Sequence, residues 1–266
     1  MTNIAETLDR IHQALVAAAG ELSSFIPETI HVEHKSGGRG PVTEADRAAN
    51  RFLYEALVRE GEGWLSEETV DDLARLTMQL VWVVDPLDGT SEFLAGIPEW
   101  CVSVAMVENG RPVAGGICNP VTREIFLGAL GTGLTYNGQP ATASAKTGLD
   151  HAIVLASRSE LRRGEWERFH NGALEIRPKG SVAYKLALVA AGLADATWTL
   201  TPKNEWDVAA GAALIEAAGG IVRSPNNSPL EFNKKSPNLP GLFASGRNLS
   251  LEIAALLGQD AGQRSG

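Results

Sequence analysis

The stretch LVWVVDPLDGTSEF, residues 80–93, carries the strongest structural signal in this chain. It opens with an apolar run, Leu80 to Val84, which is typical of a short buried strand. Asp85 and Pro86 follow at once, and Asp before Pro favours a type I turn with Asp at its first position. Because such a turn brings its first and fourth residues within about 7 Å, we expect Asp85 and Asp88 to converge just past the end of a strand.

The two converging carboxylates repel each other unless something compensates their charge. Ionised carboxylates about 4 Å apart repel by about 4 kcal/mol at an effective dielectric near 20. A fold therefore keeps such a pair when it is fully solvated, shares a proton or holds a cation. On this stretch alone, a solvated turn that caps the following helix remains an alternative to a cation site.

Other acids lie at the ends of further expected elements. Glu67 and Glu68 follow a short apolar segment, Asp207 opens an expected helix, and Asp46 fits a capping box that begins at Thr43. Each has a plain structural alternative: a solvated charge pair, a helix N-cap and a capping box, respectively. Together they place acids at several element ends, where α/β folds position their sites.

The donor types in this set favour a hard cation. Oxygen ligands select Mg²⁺ or Mn²⁺ over zinc, and the 5 histidines are scattered with no HExxH pattern. No Walker A sequence, G-x-S-x-G elbow or CxxC pair is present. If a short helix begins at Gly89 and Thr90, its free N–H groups suit a phosphate beside the cation.

Outward from this stretch, the two halves of the chain differ in pattern. Residues 1–148 indicate an α+β domain that binds the metal; residues 149–266 indicate an α/β domain, closely packed on the first, that completes the substrate site. In the first half we expect helices at 4–19 and 43–60, and strands at 80–84, 101–107, 112–118 and 124–130, with a hairpin turn at Asn109-Gly110. In the second half we expect strands at 152–156, 174–177, 196–200 and 242–245, and helices at 160–169, 182–191, 208–218 and 249–257.

Composition and charge exclude several classes of protein. A formal net charge of −9 argues against nucleic-acid binding, and an anionic substrate would need a local cation to overcome it. No apolar run approaches the ~20 residues of a membrane helix, and the N-terminus does not resemble a signal peptide. We therefore expect a cytoplasmic protein that does not bind membranes. Cys101 and Cys118 are expected to be buried free thiols, with a disulfide left open.

Four separated motifs resemble those of the lithium-sensitive, magnesium-dependent phosphomonoesterase superfamily, the inositol monophosphatase family. In order they are VTEAD (42–46), SEE (66–68), DPLDGTSEF (85–93) and WDVAAG (206–211). Members include inositol monophosphatases, 3'(2'),5'-bisphosphate nucleotidases and some fructose-1,6-bisphosphatases. The resemblance runs from about Lys35 to Gly220, and it implies a layered αβαβα sandwich, magnesium-dependent phosphatase activity and inhibition by lithium.

The resemblance also implies a role for each acid. Glu67, Asp85 and the backbone carbonyl of Leu87 hold one magnesium, and Asp85, Asp88 and Asp207 hold a second. Two or three ions are expected, and Mn²⁺ is a candidate substitute. Thr90, together with Glu67 or Asp46, orients and deprotonates the attacking water.

Candidate contacts to the substrate follow from the same resemblance. The backbone groups of Gly89 and Thr90 bind the phosphate, and Lys185 fits a contact to a second phosphate, although a helix-surface lysine is the plain alternative. The further substrate-binding candidates are Lys35, Gly180 and Ser181. The glycine-rich loop 36–40 is a candidate lid.

The choice of phosphate ester depends on details of these motifs. DPLDGTSEF (85–93) and the Ala156–Ser159 stretch resemble the bisphosphate nucleotidases, so we expect conversion of adenosine 3',5'-bisphosphate to AMP. Glu160, where those enzymes usually have His, counts against this substrate. Leu200, where the inositol enzymes usually have a Glu that binds ring hydroxyls, counts against the alternative, an inositol or related sugar monophosphatase.

A phosphate-binding module without catalysis is a remote alternative. Loss of catalysis would be expected to remove a member of the acidic set, yet the whole set and Thr90 are present. The expected partner is thus a small phosphate ester. Homodimerisation is compatible with the sequence but not indicated by it.

Overall fold

The computed structural model of the chain describes residues 3–25, 30–34, 41–170, 172 and 174–258. Within these residues the helices are α1 Ile4–Leu22, α2 Glu44–Leu57, α3 Thr90–Leu94, α4 Arg158–Arg162, α5 Val182–Ala190, α6 Glu205–Ala217 and α7 Ser250–Gly258. The strands are β1 Val32–His34, β2 Pro41–Thr43, β3 Glu62–Ser66, β4 Leu80–Asp88, β5 Cys101–Glu108, β6 Arg111–Asn119, β7 Glu124–Ala129, β8 Gly133–Tyr136, β9 Gln139–Ala141, β10 Ile153–Ser157, β11 Glu175–Lys179, β12 Ala196–Thr199, β13 Lys203–Asn204, β14 Ile221–Arg223, β15 Asn238–Leu239 and β16 Leu242–Ser245. Short 3₁₀-helices cover Ala74–Thr77, Glu167–Phe169 and Arg247–Leu249.

The first half of the chain forms a seven-stranded sheet in the order β3-β4-β5-β6-β7-β8-β9. β3 and β4 are parallel, and the remaining pairs are antiparallel. The predicted hairpin at Asn109-Gly110 is confirmed: both residues have positive φ, 50° and 78°, which a two-residue type I′ turn requires.

The second half forms a five-stranded sheet in the order β11-β10-β12-β16-β14. β10 pairs in parallel with β11 and β12, as expected where helices alternate with strands, whereas β16 runs antiparallel to both of its neighbours. Two small sheets, β1-β2 and β13-β15, complete the described strands.

Three hydrophobic cores stack these sheets and helices into five layers. One core joins α1 and α2 to one face of the seven-stranded sheet. A second lies around α5 and α6, which are packed between the two sheets. A third joins the outer face of the five-stranded sheet to α7 and to the segment around Trp166 and Phe169. The order of layers is therefore αβαβα, which confirms the predicted fold class.

A pair of glycines in β6 lets helices approach this sheet closely on both faces. A Cβ at Gly115 would lie 2.6 Å from the carbonyl oxygen of Ala210 in α6, and one at Gly116 would lie 2.4 Å from a methyl carbon of Ile11 in α1. Real Cβ atoms do not approach so closely, so these positions exclude larger residues. The close contact fixes α6 against the sheet.

Several predicted boundaries are wrong. The helix expected at 160–169 is two short pieces, α4 and the 3₁₀-helix Glu167–Phe169, because Gly164 takes a positive φ of 76° between them. The first helix continues past Gly20 because Leu22 still packs into the core. The second helix ends at Leu57, earlier than Glu60. The domain boundary predicted at 148/149 falls between β9 and β10, and the division into two domains remains a prediction.

The cysteines and the helices bear on two further expectations. Cys101 and Cys118 are free and buried, as predicted. They belong to different cores on opposite faces of one sheet, so they do not face each other. In the described part of the chain, no helix combines the length and apolar character needed to span a membrane.

Candidate active site

Three carboxylates from separate elements meet between the sheet and α6. Glu67 follows the end of β3, Asp85 lies in β4, and Asp207 lies in the first turn of α6. One oxygen from each lies within 4.8 Å of the other two. β3 and β4 are parallel neighbours, with Ser66 beside Val84, so their carboxyl ends deliver the first two acids to one sheet edge.

Asp85 occupies an irregular position in β4 rather than the predicted type I turn. The strand continues to Asp88, and its register against β5 shifts: Asp85 lies opposite Ser103, whereas Asp88 lies opposite Cys101. β4 thus has an extra residue here, a β-bulge of the kind found beside active sites. The prediction of convergence past a strand end is corrected to convergence within the strand.

The surroundings of Asp85 suit a cation ligand. Its side chain is 1% exposed, and Oδ1 accepts the N–H of Leu87 at 3.0 Å. Oδ2 is buried and has no hydrogen-bond partner among the described residues. A buried carboxylate oxygen without a partner is costly, and a cation bound there would supply the missing interaction.

The same cluster raises the pKa of two of its carboxyl groups. Burial raises the pKa of Asp85 well above its ordinary value, and the charges of Glu67, Asp88 and Asp207 raise it further. Burial likewise raises the pKa of Asp207, with Asp88 and Glu67 adding to it. These shifts report a concentration of negative charge, and an all-oxygen set of this kind suits a hard divalent cation.

Asp207 combines a structural role with this position. α6 begins at Glu205, three residues earlier than predicted, so Asp207 is the third helical residue and not the N-cap. Its Oδ2 accepts the N–H of Asn204 at 3.0 Å. The bond to the helix entry orients the carboxylate, which leaves Oδ1 for the cluster.

Asp46 and Thr90 form a second part of the site. The capping box predicted for Asp46 is confirmed, because Oδ2 accepts the N–H of Thr43 at 2.8 Å and its hydroxyl at 2.5 Å. Oδ1 lies 3.2 Å from the hydroxyl oxygen of Thr90. That hydroxyl is also 3.3 Å from the carbonyl oxygen of Leu87. The cap therefore orients the carboxylate of Asp46 so that its Oδ1 faces Thr90.

Asp88 joins β4 to the start of α5. Its Oδ2 accepts the hydroxyl of Ser181 at 2.7 Å and the N–H of Ala183 at 2.6 Å. Ser181 has a φ of 57° and caps α5 through a bond from Tyr184 N–H to its hydroxyl at 2.9 Å. Asp88 lies outside the group of three acids but close enough to raise the pKa of Asp85 and Asp207.

Comparison with known proteins shows the family to which the chain belongs. The chain matches the inositol monophosphatase family over residues 4–257. The chain belongs to the inositol monophosphatase family. Members of this family are phosphoric monoester hydrolases, generally dependent on Mg²⁺, and this chain is an enzyme of that class.

Individual relatives agree with this assignment. Inositol monophosphatase 3 of Solanum lycopersicum is 32% identical over 245 residues, covering 86% of this chain and 91% of that protein. The solved structure of an IMPase from Thermotoga maritima has a TM-score of 0.81 at 26% identity, covering 94% and 96% of the two chains. CysQ from Bacteroides thetaiotaomicron, described as a bacterial member of the inositol monophosphatase family, has a TM-score of 0.76 at 30% identity, covering 91% and 97%.

The residues predicted to contact the substrate differ in their surroundings: some lie at a helix start, and others are already bonded to protein side chains. Gly89 has a φ of 102° and directly precedes α3, which begins at Thr90. The N–H of Gly180 already donates to Glu99 Oε2 at 2.7 Å, and Ser181 is engaged with Asp88. Lys35 and the proposed lid 36–40 lie outside the described residues.

Lys185 is an interior residue rather than a helix-surface lysine. It is 5% exposed, and its Nζ donates to the carbonyl oxygen of Ser181 at 2.7 Å. Burial lowers its pKa, although the charges of Asp88 and Glu160 act against that shift. Its Nζ is thus already bonded to a backbone carbonyl, and the contact to a second phosphate remains a prediction.

Two buried acids that organise the site were missed by sequence reasoning. The carboxylate of Glu99 accepts hydrogen bonds from Arg158 at 2.7 and 2.8 Å, from Lys179 at 3.1 Å and from the backbone N–H of Gly180. Burial opposes its ionisation, but these donors lower the pKa of Glu99 to about 2. It thereby ties the segment before β5 to the start of α5. Its partners lie far away in sequence, so no local pattern signals them.

Glu160, weighed above only as a departure from His, is 1% exposed. Its carboxylate accepts hydrogen bonds from the hydroxyls of Thr199 at 2.6 Å and Thr201 at 3.1 Å and from Trp166 Nε1 at 3.2 Å. It also forms an ion pair with Lys203 at 3.1 Å. Burial acts against ionisation, yet the Thr199 hydroxyl and Lys203 lower its pKa. Glu160 therefore fixes the segment that leads into α6 and Asp207.

Proposed function

We propose that the protein hydrolyses the phosphate monoester of a small polyol or sugar with the help of Mg²⁺. The observation that carries the proposal is the close approach of Glu67, Asp85 and Asp207. Asp85 is buried, and its Oδ2 has no hydrogen-bond partner among the described residues. Such a set is unfavourable without a cation and favourable with one.

In this proposal Glu67, Asp85, Asp207, the free oxygen of Asp88 and the carbonyl of Leu87 hold the metal. When bound, Mg²⁺ lowers the pKa of the attacking water and stabilises charge on the phosphate and leaving oxygens. The cations also offset the local negative charge, which lets an anionic ester approach a protein of net charge −9.

Thr90 and Asp46 orient and deprotonate the water in the same proposal. The Thr90 hydroxyl lies 3.2 Å from Asp46 Oδ1, which is within reach for proton transfer. Thr90 donates its proton to Asp46 and accepts one from the water, so that Asp46 Oδ1 ends as the proton acceptor. Asp46 Oδ2 stays bound to Thr43 and keeps the carboxylate oriented.

The comparisons and the interior position of Lys185 favour a polyol or sugar monophosphate over a nucleoside bisphosphate. The second-phosphate contact expected of Lys185 is not supported by its bond to Ser181. Glu160 stands where a bisphosphate nucleotidase would have His, and its carboxylate is bonded to Thr199 and paired with Lys203. The relatives reported above include a plant inositol monophosphatase at 32% identity.

A 3'(2'),5'-bisphosphate nucleotidase is the second candidate. It is favoured by the DPLDGTSEF motif and by Arg158, whose side chain is 35% exposed beside Gly180 while paired with Glu99. A partly exposed guanidinium at this position is suited to a second phosphate. A cytoplasmic location and a homodimer remain predictions.

Phosphate release from three substrates tests the proposal. Inositol 1-phosphate, fructose 1,6-bisphosphate and adenosine 3',5'-bisphosphate are compared by kcat/KM with Mg²⁺ and after its removal. We expect a clear preference for a sugar or inositol ester, dependent on the metal. A preference for adenosine 3',5'-bisphosphate would transfer the assignment to the second candidate.

An Asp85→Asn enzyme purified in parallel is the control. We expect it to have lost turnover of every substrate in the panel. Equal turnover by this variant would contradict the metal site itself.

A further inference from the structure

A cluster of arginines lines a cavity at the end of α6 opposite to Asp207. The cavity has a volume of about 250 Å³ and is lined by Arg111, Arg223, Arg247 and Glu216, with Leu130, Gly220 and Ile221. Asp207 and Glu216 are nine residues apart on α6, which is about 14 Å along a helix axis. The cavity is thus separate from the candidate active site.

The three arginines reach this cavity from different elements. Arg111 opens β6, Arg223 closes β14, and Arg247 lies in the 3₁₀-helix that precedes α7. Both sheets therefore contribute to it, and the elements that bear the arginines are parts of packed layers. We call this group, Arg111, Arg223 and Arg247, the arginine cleft.

The charges in the arginine cleft do not balance. Arg111 donates to Glu216 at 2.9 Å, and Arg223 lies 3.9 Å from the same carboxylate and donates to the carbonyl oxygen of Val222 at 2.7 Å. Arg247 is exposed and has neither an ion pair nor a side-chain hydrogen bond within the described part of the chain. Among the described residues that line the cavity, three cations thus face one carboxylate, in a protein whose formal net charge is −9.

Stabilisation of the helix end accounts for only part of this cluster. Cations near a helix C-terminus are favourable, and Arg111 and Arg223 bind Glu216 in the last turn of α6. Arg247 makes no such contact yet lines the same cavity. A neighbouring cavity of about 330 Å³ shares Arg111, Glu216 and Arg223 and adds the acid Glu231, so the surplus positive charge is confined to the side that holds Arg247.

We propose that the arginine cleft binds a small multivalent oxyanion, a phosphate or carboxylate metabolite, at a site distinct from the active site. Guanidinium groups bind such anions through paired, charge-assisted hydrogen bonds. The cavity is smaller than a site for a drug-sized ligand and suits a compact anion. The ligand replaces the missing counter-charge of Arg247 and leaves the Arg111–Glu216 pair intact.

Calorimetric titration of the full-length protein tests this site. The protein is first freed of metal on a chelating resin, because the acidic active site without cations repels anions. Inorganic pyrophosphate and citrate are the two probes. We expect one saturable site whose affinity falls as NaCl is raised. Binding of pyrophosphate alone would indicate a phosphate site, and binding of both probes would indicate a general oxyanion site.

Variants connect the binding to the arginines. Loss of one hydrogen bond to a charged group lowers affinity about tenfold. The double variant Arg223→Ala/Arg247→Ala is therefore expected to bind pyrophosphate on the order of 100-fold more weakly than the wild type. The double variant Arg51→Ala/Arg123→Ala, which removes two exposed arginines elsewhere, should bind like wild type.

A single charge reversal keeps the test independent of folding. Arg247 is exposed, so Arg247→Glu is expected to leave the melting temperature unchanged and to abolish binding. Absence of saturable binding to the wild-type protein, or equal binding to Arg247→Glu, would overturn the proposal.

Discussion

Replacement of Asp85 by Asn should stabilise the metal-free protein while it abolishes the response to Mg²⁺. The substitution removes the charge but keeps an Oδ1 that accepts the Leu87 N–H, as in the native side chain. It also relieves a buried carboxylate whose other oxygen has no described partner. Destruction of the active centre is therefore expected to make the empty protein more stable.

The magnitude follows from the separation of the three acids. With oxygens of Glu67, Asp85 and Asp207 within 4.8 Å of one another, each ionised pair repels by about 3.5 kcal/mol at an effective dielectric near 20. Because protonation already relieves part of this repulsion, we expect a net gain of about 2 kcal/mol at pH 7, or roughly 4–8 °C in Tm. Saturating Mg²⁺ at 100 times its Kd should add about 2.7 kcal/mol to the wild type only.

Calorimetric scans of both proteins over a series of Mg²⁺ concentrations measure this reversal. Asp72→Asn is the matched control, because exposed Asp72 also accepts the N–H two residues ahead, that of Ala74, at 2.9 Å. It should change neither Tm nor the Mg²⁺ response. The reasoning is refuted if metal-free Asp85→Asn melts below the wild type, or if Mg²⁺ still stabilises it.

Three further substitutions test the rest of the site. Thr90→Val should lower kcat by about 100-fold or more and leave stabilisation by Mg²⁺ unchanged, since Thr90 acts on Asp46 through its hydroxyl; an unchanged kcat would exclude this role. Glu160→Gln should destabilise by about 3 kcal/mol because it leaves partly buried Lys203 without its counter-charge, and adding Lys203→Met should restore most of the Tm; no recovery would contradict the pairing. The pKa of Glu99 is lowered to about 2 from 4.5, so the stability that its ionised form contributes is present above pH 4.5 and is lost as the pH falls towards 2. The Tm of Glu99→Gln should therefore lie below that of the wild type at neutral pH, and the difference should vanish as the pH falls towards 2. A difference that persists at pH 2 would have another origin.

The features that the sequence predicted correctly are encoded over short spans. The Asn109-Gly110 turn and the Thr43–Asp46 capping box each depend on residues at most three positions apart, and both are confirmed. The buried strand before Asp85 follows from a local apolar run. For Asp46 the plain alternative is confirmed and does not exclude the functional one, because one carboxylate oxygen caps the helix and the other contacts Thr90.

The features that sequence reasoning missed depend on contacts between distant segments. Glu99 and Arg158 are 59 residues apart, and nothing near either residue announces the pair. Lys185 lies in an apolar helix on which a single lysine reads as exposed, yet α5 is packed between two sheets, so every face of it is covered. The positions of most long helices and strands along the chain thus follow from the sequence pattern, whereas the partners of buried charges depend on how the layers pack.

The bulge in β4 has a consequence for the spacing of the two aspartates themselves. Side chains of a regular strand alternate between faces, so residues three apart, such as Asp85 and Asp88, would point to opposite sides of the sheet. Their partners Ser103 and Cys101 are two apart and share a face. The extra residue thus shifts the phase of the strand by one and returns both carboxylates to the side where α5 and α6 lie. The odd spacing of D-P-L-D is therefore itself a record of the irregularity, and a strand without the bulge would need the two acids at an even spacing, as in D-x-D, to keep them on one face.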